Sequence, residues 1–174
     1  LMQDRIVIID EEITDYFSSQ IITQLIYLKY ITDLKNPQPV TLIVNSVGGS
    51  MYHGLGIYDM IENLKKSGII VKTRGIGMCA SMGSFLLSAG SPGERKVYPN
   101  TTIMIHQPSG GVSGQISDIE IVAKEGKYLK DLMFDLYINH GANPIIKELA
   151  DRDTWLRPNK AIELGLIDGI FFEY

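Results

Sequence analysis

The sequence predicts an α/β fold built as a single domain over residues 1–174. Short apolar runs of strand type alternate with longer runs whose apolar residues recur every three to four positions. No internal repeat or low-complexity tract interrupts this alternation. Hydrophobic residues make up 45% of the chain and charged residues 21%, a balance that supports one sizeable core. We therefore expect a sheet covered by helices.

The first half of the chain is expected to alternate between strands and helices. The strands are predicted at residues 5–9, 40–45 and 69–75. The helices are predicted at residues 16–32, from the Gly48-Gly49 pair to about residue 66, and from about residue 81 to 89. Two prolines within residues 36–39 separate the first helix from the second strand, because proline does not fit a helix interior.

A long helix at residues 117–139 dominates the second half. Ser117 and Glu120 have capping-box spacing at its start, and Gly141 is expected to end it. The helix has a broad apolar surface that either covers the sheet or contacts a neighbouring subunit, and spacing alone leaves both open. The other predicted segments are a turn and short strand at 92–99, a strand at 102–106, an extended glycine-rich link at 109–114, a helix at 159–164 and a strand at 167–172.

Charge and cysteine content argue against several classes of function. The net charge of −4 and the pI near 5.3 disfavour a nucleic acid or an anionic membrane as an electrostatic partner. Cys79 is the single cysteine, so an internal disulfide and a cysteine-built zinc site are ruled out, and a reducing compartment is expected. No apolar run reaches the roughly 18 residues of a membrane span. The sequence begins at Leu1, so targeting is not read from this end.

Residues 75–84, GIGMCASMGS, form the strongest local motif. The motif leads from a strand through a tight turn into an apolar helix. Ser81 is therefore expected at a helix N-terminus, where free N–H groups favour negative charge. The small neighbours Gly77, Ala80 and Gly83 leave room for a substrate backbone. The arrangement is typical of a nucleophilic serine, although it is not G-x-S-x-G, and a simple helix cap is the alternative for Ser81.

His106 is the best of the three histidines as a general base for that serine. It ends the apolar strand at 102–106, where side chains can reach a site, and Pro108 follows closely. His53 lies early in a helix and is expected at the surface or at an interface. His140 lies at a helix C-terminus, where positive charge is favourable, which gives it a structural role.

A Ser–His pair also needs a carboxylate to orient the imidazole and N–H donors for the oxyanion. The Gly48-Gly49 pair and the Met82 N–H are candidate donors, although a plain tight turn also explains the glycines. The spacing of the acidic residues does not identify the carboxylate that would orient the imidazole. The candidates after His106 are Asp118, Asp131, Asp135, Asp151, Asp153 and Asp168, the first three of which are expected on the solvated face of the long helix.

Other chemistries fit less well. Cys79 has an apolar setting and no basic neighbour that would lower its pKa, which favours a buried structural thiol. The sequence has no P-loop pattern, and Gly75-x-Gly77 is too short to indicate a phosphate site. The histidines lack the spacing of a shared metal site, so no metal is expected.

The motifs together resemble those of the ClpP family of proteolytic subunits over nearly the whole chain. The resemblance is carried by residues 43–50 (IVNSVGGS), 77–84 (GMCASMGS), 103–108 (IMIHQP), 110–111 (GG), 151–155 (DRDTW) and 165–168 (GLID). It implies that Ser81 is the nucleophile, His106 the general base and Asp153 the orienting acid. It further implies oxyanion donors at Gly49 and Met82, with substrate contacts at Gly48, Gly110 and Gly111.

The resemblance also implies a ClpP/crotonase-like architecture, in which strand–helix units form a head and residues of about 109–140 form a projecting strand–helix handle. Two heptameric rings would stack around the active sites, and the rings would consist of this chain alone or of this chain together with a paralogue. An AAA+ unfoldase such as ClpX, ClpA or ClpC would supply unfolded protein with ATP. The peptidase itself is expected to bind no ATP, metal, nucleic acid or membrane. Its expected location is a bacterial cytoplasm or, as a second choice, an organellar matrix or stroma.

The leading functional prediction is a serine endopeptidase that cleaves unfolded polypeptides. The main alternative is a catalytically weak or inactive structural paralogue in a mixed ring, which departures from the family pattern such as Val47 in place of the usual proline would fit. A third alternative is an acyl-CoA enzyme of the crotonase fold. Such an enzyme would share the glycine-based oxyanion hole but would not need the set of Ser81, His106 and Asp153.

Overall fold

The structure is a computed structural model that describes residues 1–172. It confirms the α/β class, with a mostly parallel sheet and helices packed against it. The elements are β1 (Ile6–Ile9), α1 (Asp15–Tyr30), β2 (Val40–Ser46), α2 (Met51–Lys66), β3 (Val71–Ala80), α3 (Met82–Ser88), β4 (Arg95–Val97), β5 (Thr102–Ile105), α4 (Ile116–Asn139), α5 (Ile146–Leu149), β6 (Thr154–Leu156), α6 (Pro158–Glu163) and β7 (Gly169–Ile170).

The sheet divides along β3. Strands β1, β2, β3, β4 and β7 lie side by side and are parallel, with β4 pairing to the first half of β3. The second half of β3 pairs instead with β5, also in parallel, and β6 joins β5 antiparallel. Buried residues alternate with half-buried or exposed ones along β1 and β2, so one face of these strands packs into the core and the other face is only partly covered.

β3 is longer than predicted because a bulge lets it continue past residue 75. Val44 of β2 lies opposite Gly75, but Ser46 lies opposite Cys79, so β3 has extra residues between these pairs. Gly77 provides the positive φ of 63° that the bulge needs, and the Asn45 side chain accepts a hydrogen bond from Met78 N–H at 3.1 Å. The tight turn predicted before Ser81 is therefore wrong, since the strand runs up to Ala80.

Helix starts differ from the predictions in two places. α2 begins at Met51 with Ser50 as its N-cap, so the Gly48-Gly49 pair precedes the helix and does not open it. α4 begins at Ile116 with Gln115 as its N-cap, and no side chain caps it, so the capping box of Ser117 and Glu120 is wrong. The predictions also missed α5 and β6, and β7 is shorter than the predicted strand at 167–172.

The two halves of α4 have different environments. The first half is exposed, and Ile121 keeps 66% of its surface accessible, while Leu129, Met133 and Tyr137 in the second half are buried. Tyr137 packs edge-on against Phe85 of α3 with 5.2 Å between the ring centroids. The second half of the predicted handle thus covers the chain's own core. Residues 106–115, which lead into α4, contain no strand in the structure.

No helix within residues 1–172 combines the length and the apolar character needed to cross a bilayer.

Candidate active site

Ser81 lies at the junction of β3 and α3 in a strained conformation. Its φ of 55° and ψ of −126° are costly for a residue with a side chain, about 1–3 kcal/mol, and such strain concentrates at functional sites. The Ser81 N–H donates to the Met104 carbonyl of β5 at 2.9 Å, which fixes the backbone. The predicted position at a helix N-terminus is confirmed, because Ser81 is the N-cap of α3.

His106 contacts both of its expected partners. Its Nε2 lies 2.8 Å from Ser81 Oγ, and its Nδ1 lies 3.1 Å from Asp153 Oδ1. Because an ionised carboxylate only accepts hydrogen bonds, Nδ1 carries the imidazole proton and Nε2 accepts from the serine hydroxyl. A hydroxyl, an imidazole and a carboxylate from distant segments therefore form one hydrogen-bonded line.

The pairing of β5 with β6 explains why His106 and Asp153 meet. In this antiparallel pair Ile105 lies opposite Thr154, so the next residues outward, His106 and Asp153, face each other at the end of the ladder. β5 is itself hydrogen-bonded to β3, whose last residue precedes Ser81. One continuous sheet thus positions all three side chains.

The other candidate carboxylates have different contacts. Asp168 is bound by Arg95 at 2.6 Å, Asp135 pairs with Lys147 at 2.9 Å, and Asp151 accepts a hydrogen bond from Gln107 at 3.1 Å. Asp118 and Asp131 lie on α4 with exposed side chains.

Three further side chains that the sequence analysis considered lie apart from this line. The His140 side chain is 8% accessible at the end of α4, and burial lowers its pKa to about 4, so it is neutral near pH 7. Its packing against Tyr58 and Phe85 agrees with the structural role predicted for it. Cys79 is fully buried and donates to the Val44 carbonyl at 3.1 Å; burial raises the pKa of its thiol to about 12. His53 is half-buried in α2.

Backbone N–H groups beside Ser81 are available as donors. Met82 is the first residue of α3, so its N–H has no acceptor within the helix. The Ile13 carbonyl accepts a hydrogen bond from the Ser50 N–H at 2.9 Å. Because consecutive N–H groups of an extended segment point to opposite sides, the Gly49 N–H points away from Ile13. Gly48 packs directly against the serine: a Cβ on it would lie 2.7 Å from Ser81 Cβ.

A cavity of about 670 Å³ opens beside the serine, between the head of the molecule and α4. Ser81, His106 and Gly49 lie on one side of it, and residues 108–112 form another side. The predicted substrate contacts Gly110 and Gly111 line this cavity, whereas Gly48 lies behind Ser81, buried.

A polar chain next to His106 was missed at the sequence level. Gln107 Nε2 donates to the Asp151 carbonyl at 2.9 Å, and Lys130 Nζ of α4 donates to Gln107 Oε1 at 2.8 Å. The available signal was the position of Gln107 directly after His106. No pattern in the sequence indicates Lys130, because its contact depends on how α4 packs.

Within residues 1–172, histidine, cysteine and carboxylate side chains do not gather in threes as a metal site would require.

Comparison with known proteins gives a consistent result. The pattern of the family described as Clp protease matches residues 1–174. The chain is 40% identical to the ATP-dependent Clp protease proteolytic subunit 1 of Salinibacter ruber, over 99% of this chain and 72% of that protein. It is also 40% identical to the ATP-dependent Clp protease proteolytic subunit of Bacteroides fragilis and to subunit 1 of Synechococcus, covering 82% and 84% of those proteins.

Proposed function

This chain belongs to the Clp protease family of serine peptidases, and we propose that it cleaves unfolded polypeptides through Ser81, His106 and Asp153. The observation that carries the proposal is the hydrogen-bonded line from Ser81 Oγ through His106 to Asp153 Oδ1, with distances of 2.8 and 3.1 Å. The line links a hydroxyl to a base and the base to an orienting acid, which is what nucleophilic acyl transfer requires.

In the first step, Ser81 Oγ attacks the carbonyl carbon of the peptide bond, and His106 Nε2 takes the hydroxyl proton. Asp153 stabilises the imidazolium that forms. The N–H groups of Gly49 and Met82 donate to the oxyanion of the tetrahedral intermediate. His106 then gives its proton to the leaving amine, which departs and leaves an ester on Ser81.

In the second step, water attacks the ester and loses a proton to His106. The tetrahedral intermediate collapses, the proton passes to Ser81 Oγ, and the carboxylic acid product leaves. This chemistry uses side chains and backbone groups of the chain itself. We propose that the subunit needs no cofactor of its own and that ATP is used by a partner.

The cavity lies between Gly49 and the Gly110-Gly111 segment, all of which line it, while Gly48 is buried behind Ser81. Backbone groups in such segments can pair with a substrate strand through main-chain hydrogen bonds, which tolerate many sequences. Glycine leaves these groups unshielded. We propose that the substrate lies there as an added strand, so that confinement, more than a narrow pocket, selects what is cleaved.

We further propose that the subunit works inside two stacked heptameric rings and receives substrate from an AAA+ unfoldase of the ClpX, ClpA or ClpC type. The name of the relative from Salinibacter ruber, which calls it ATP-dependent, supports a partner that uses ATP. The exposed apolar residues Ile116, Ile121 and Tyr128 of α4 support contact with further chains. The single buried thiol suits a reducing compartment, and we propose a bacterial cytoplasm.

The test compares the wild type with Ser81→Ala, using a fluorogenic peptide and a fluorophosphonate that forms a covalent bond with an activated serine. The wild type is expected to hydrolyse the peptide and to be labelled at Ser81, and the variant to lose about 10⁴-fold or more of the activity and all labelling. Both proteins are also measured with a paralogous subunit and an unfoldase. Wild-type activity that appears only with the paralogue would support the structural-subunit alternative.

A further inference from the structure

Gly126 is a feature of α4 that the proposed chemistry does not explain. It lies well inside a helix of 24 residues, Ile116–Asn139. Glycine destabilises a helix interior relative to alanine, because it loses more backbone entropy on folding. A glycine at this position therefore calls for a structural or functional reason.

Close packing within the chain is not that reason. A Cβ on Gly54 of α2 would collide with Met82 Cε, and a Cβ on Gly83 of α3 would lie 2.5 Å from the Ser46 carbonyl oxygen. Those two glycines let neighbouring groups approach. A Cβ on Gly126, in contrast, would meet no heavy atom within 4 Å.

The open space beside Gly126 is the cavity that also contains Ser81. Val122, Gly126 and Leu129 recur at helical spacing on one face of α4, and all three line that cavity. Val122 and Leu129 have side chains at this wall of the cavity, whereas Gly126 between them has none. The missing side chain widens the cavity between them.

A hydrogen bond holds α4 at this distance from the head. The Tyr52 hydroxyl at the start of α2 donates to Glu125 Oε1 of α4 at 3.1 Å, and Tyr52 also lines the cavity. This bond links α2 to α4 one residue before Gly126. The position of α4 at this side of the cavity is therefore fixed relative to α2.

We propose that Gly126, through the side chain that it lacks, sets the width of the apolar pocket that receives the side chain preceding the cleaved bond, so that the rings of Phe, Tyr and Trp enter more readily than they would with a larger residue at position 126. Met51 and Met104 line the same cavity, and thioethers contact aromatic rings favourably and adapt to their shape. Val122 and Leu129 add aliphatic walls, which suit a large apolar ring. This inference rests on the proposed function of Ser81.

The test measures kcat/KM for peptides that differ only in the residue before the scissile bond, which is Ala, Leu, Phe or Trp. The quantity compared is the ratio of kcat/KM for Phe to that for Ala, because a change in the fraction of active enzyme cancels in this ratio. In Gly126→Leu, and in Ala123→Leu on the same wall, the ratio is expected to fall about tenfold or more, the scale of a pocket filled by a few methyl groups. Gly126→Ala stabilises the helix and should also lower the ratio, but by less than Gly126→Leu does.

The matched control is Lys127→Leu, which adds the same side chain one position along α4, outside the cavity lining. It should keep the wild-type ratio. The inference is overturned if Gly126→Leu and Gly126→Ala keep the wild-type ratio, or if Lys127→Leu lowers it equally. It is also overturned if Gly126→Ala separates the rings in sedimentation while the ratio is unchanged, since the glycine would then serve contact between subunits. Absence of hydrolysis and of Ser81 labelling in the wild type would instead refute the proposed function.

Discussion

At the scale of single residues, Asp153 is the most exposed member of the hydrogen-bonded line. Its side chain is 59% accessible, compared with 24% for His106. Solvent screens the charge of an exposed carboxylate, so the contribution that we propose for it is to orient the imidazole through the bond to Nδ1. We expect Asp153→Asn to lower kcat by about 10²–10⁴-fold, because an amide can favour the wrong imidazole tautomer. Steady-state hydrolysis of one peptide measures the effect.

The control for this prediction is Asp151→Asn, which makes the same change of charge two residues away. Asp151 contacts Gln107 and not His106, and an Asn there keeps an oxygen acceptor. Its kcat should stay near that of the wild type. Equal losses in the two variants would contradict the orienting role of Asp153, since they would point to the charge of the loop as a whole.

Sequence reasoning found Ser81 and His106 but could not choose the carboxylate from spacing. The motif around Ser81 has local signals, namely small residues and an apolar helix, and His106 ends a recognisable strand. Asp153 reaches His106 only because β6 pairs with β5, and a strand of three residues is too short for its period to be recognised. The resemblance to the ClpP family supplied that choice, and the geometry of the line is consistent with it.

At the scale of elements, three segments meet beside the site through Gln107. Its amide bonds to Asp151 before β6, its backbone N–H donates to the Ala150 carbonyl at 2.6 Å, and its Oε1 accepts from Lys130 of α4. Lys130 fixes which end of the Gln107 amide is the donor to Asp151. The segment that carries Asp153 is therefore positioned in part by α4.

We expect Lys130→Met to lower kcat about tenfold, because a freed Gln107 amide would let the Asp153 segment shift, and small displacements of catalytic groups are costly. Lys130→Arg should recover part of the loss, since it restores a donor. The matched control is Lys147→Met, which removes the exposed pair with Asp135. Peptide hydrolysis that is unchanged in Lys130→Met, or reduced equally in Lys147→Met, would contradict this role.

The errors in the predicted elements differ in origin. The bulge in β3 involves an Asn45 side chain from another strand, a contact distant in sequence that propensity does not describe. The start of α4 at Ile116 lacks the side-chain cap that the spacing of Ser117 and Glu120 predicts. Long periodic elements such as α1 and α2 were predicted within a few residues, because their own apolar spacing determines them.

At the scale of the whole molecule, Arg95 joins the ends of several elements. Its guanidinium binds Asp168 before β7 at 2.6 Å, and it donates to the carbonyls of His140 after α4 at 2.8 Å and Gly165 after α6 at 3.2 Å. Burial by itself would raise the pKa of Asp168, but the hydrogen bonds and charge of Arg95 lower it overall. The pair therefore holds β4, α4, α6 and β7 together.

We expect Arg95→Met to lower the free energy of unfolding by about 3–5 kcal/mol, because it leaves a largely buried carboxylate and two carbonyls without their partner. Denaturant unfolding at fixed protein concentration measures the loss. Asp168→Leu added to Arg95→Met should recover part of it, since the unpaired charge is then gone. If Asp168→Leu instead lowered the free energy of unfolding of Arg95→Met further, as an independent destabilising substitution would, this account would be contradicted.

His140 makes the stability of the whole fold depend on pH. It lies against Ser88, Tyr58 and Phe85, and its pKa falls to about 4 from 6.5 chiefly because of burial, with Lys65 and Arg95 adding to the effect. Glu62 lies 3.8 Å from Nε2, but it already pairs with Lys65, so burial prevails. The folded protein thus keeps His140 neutral where the unfolded chain protonates it.

Between pH 6.5 and about 4 the unfolded state binds more protons than the folded state at this residue, so stability must fall as the pH falls through that window. From pH 7 to pH 4.5 the contribution is about 2–3 kcal/mol. Unfolding is measured at both pH values for the wild type and for His140→Phe, which keeps a ring among Tyr58 and Phe85 but cannot titrate. The variant should lose less stability than the wild type over this interval, and equal losses would mean that His140 is protonated in the folded protein or that other groups govern its acid response.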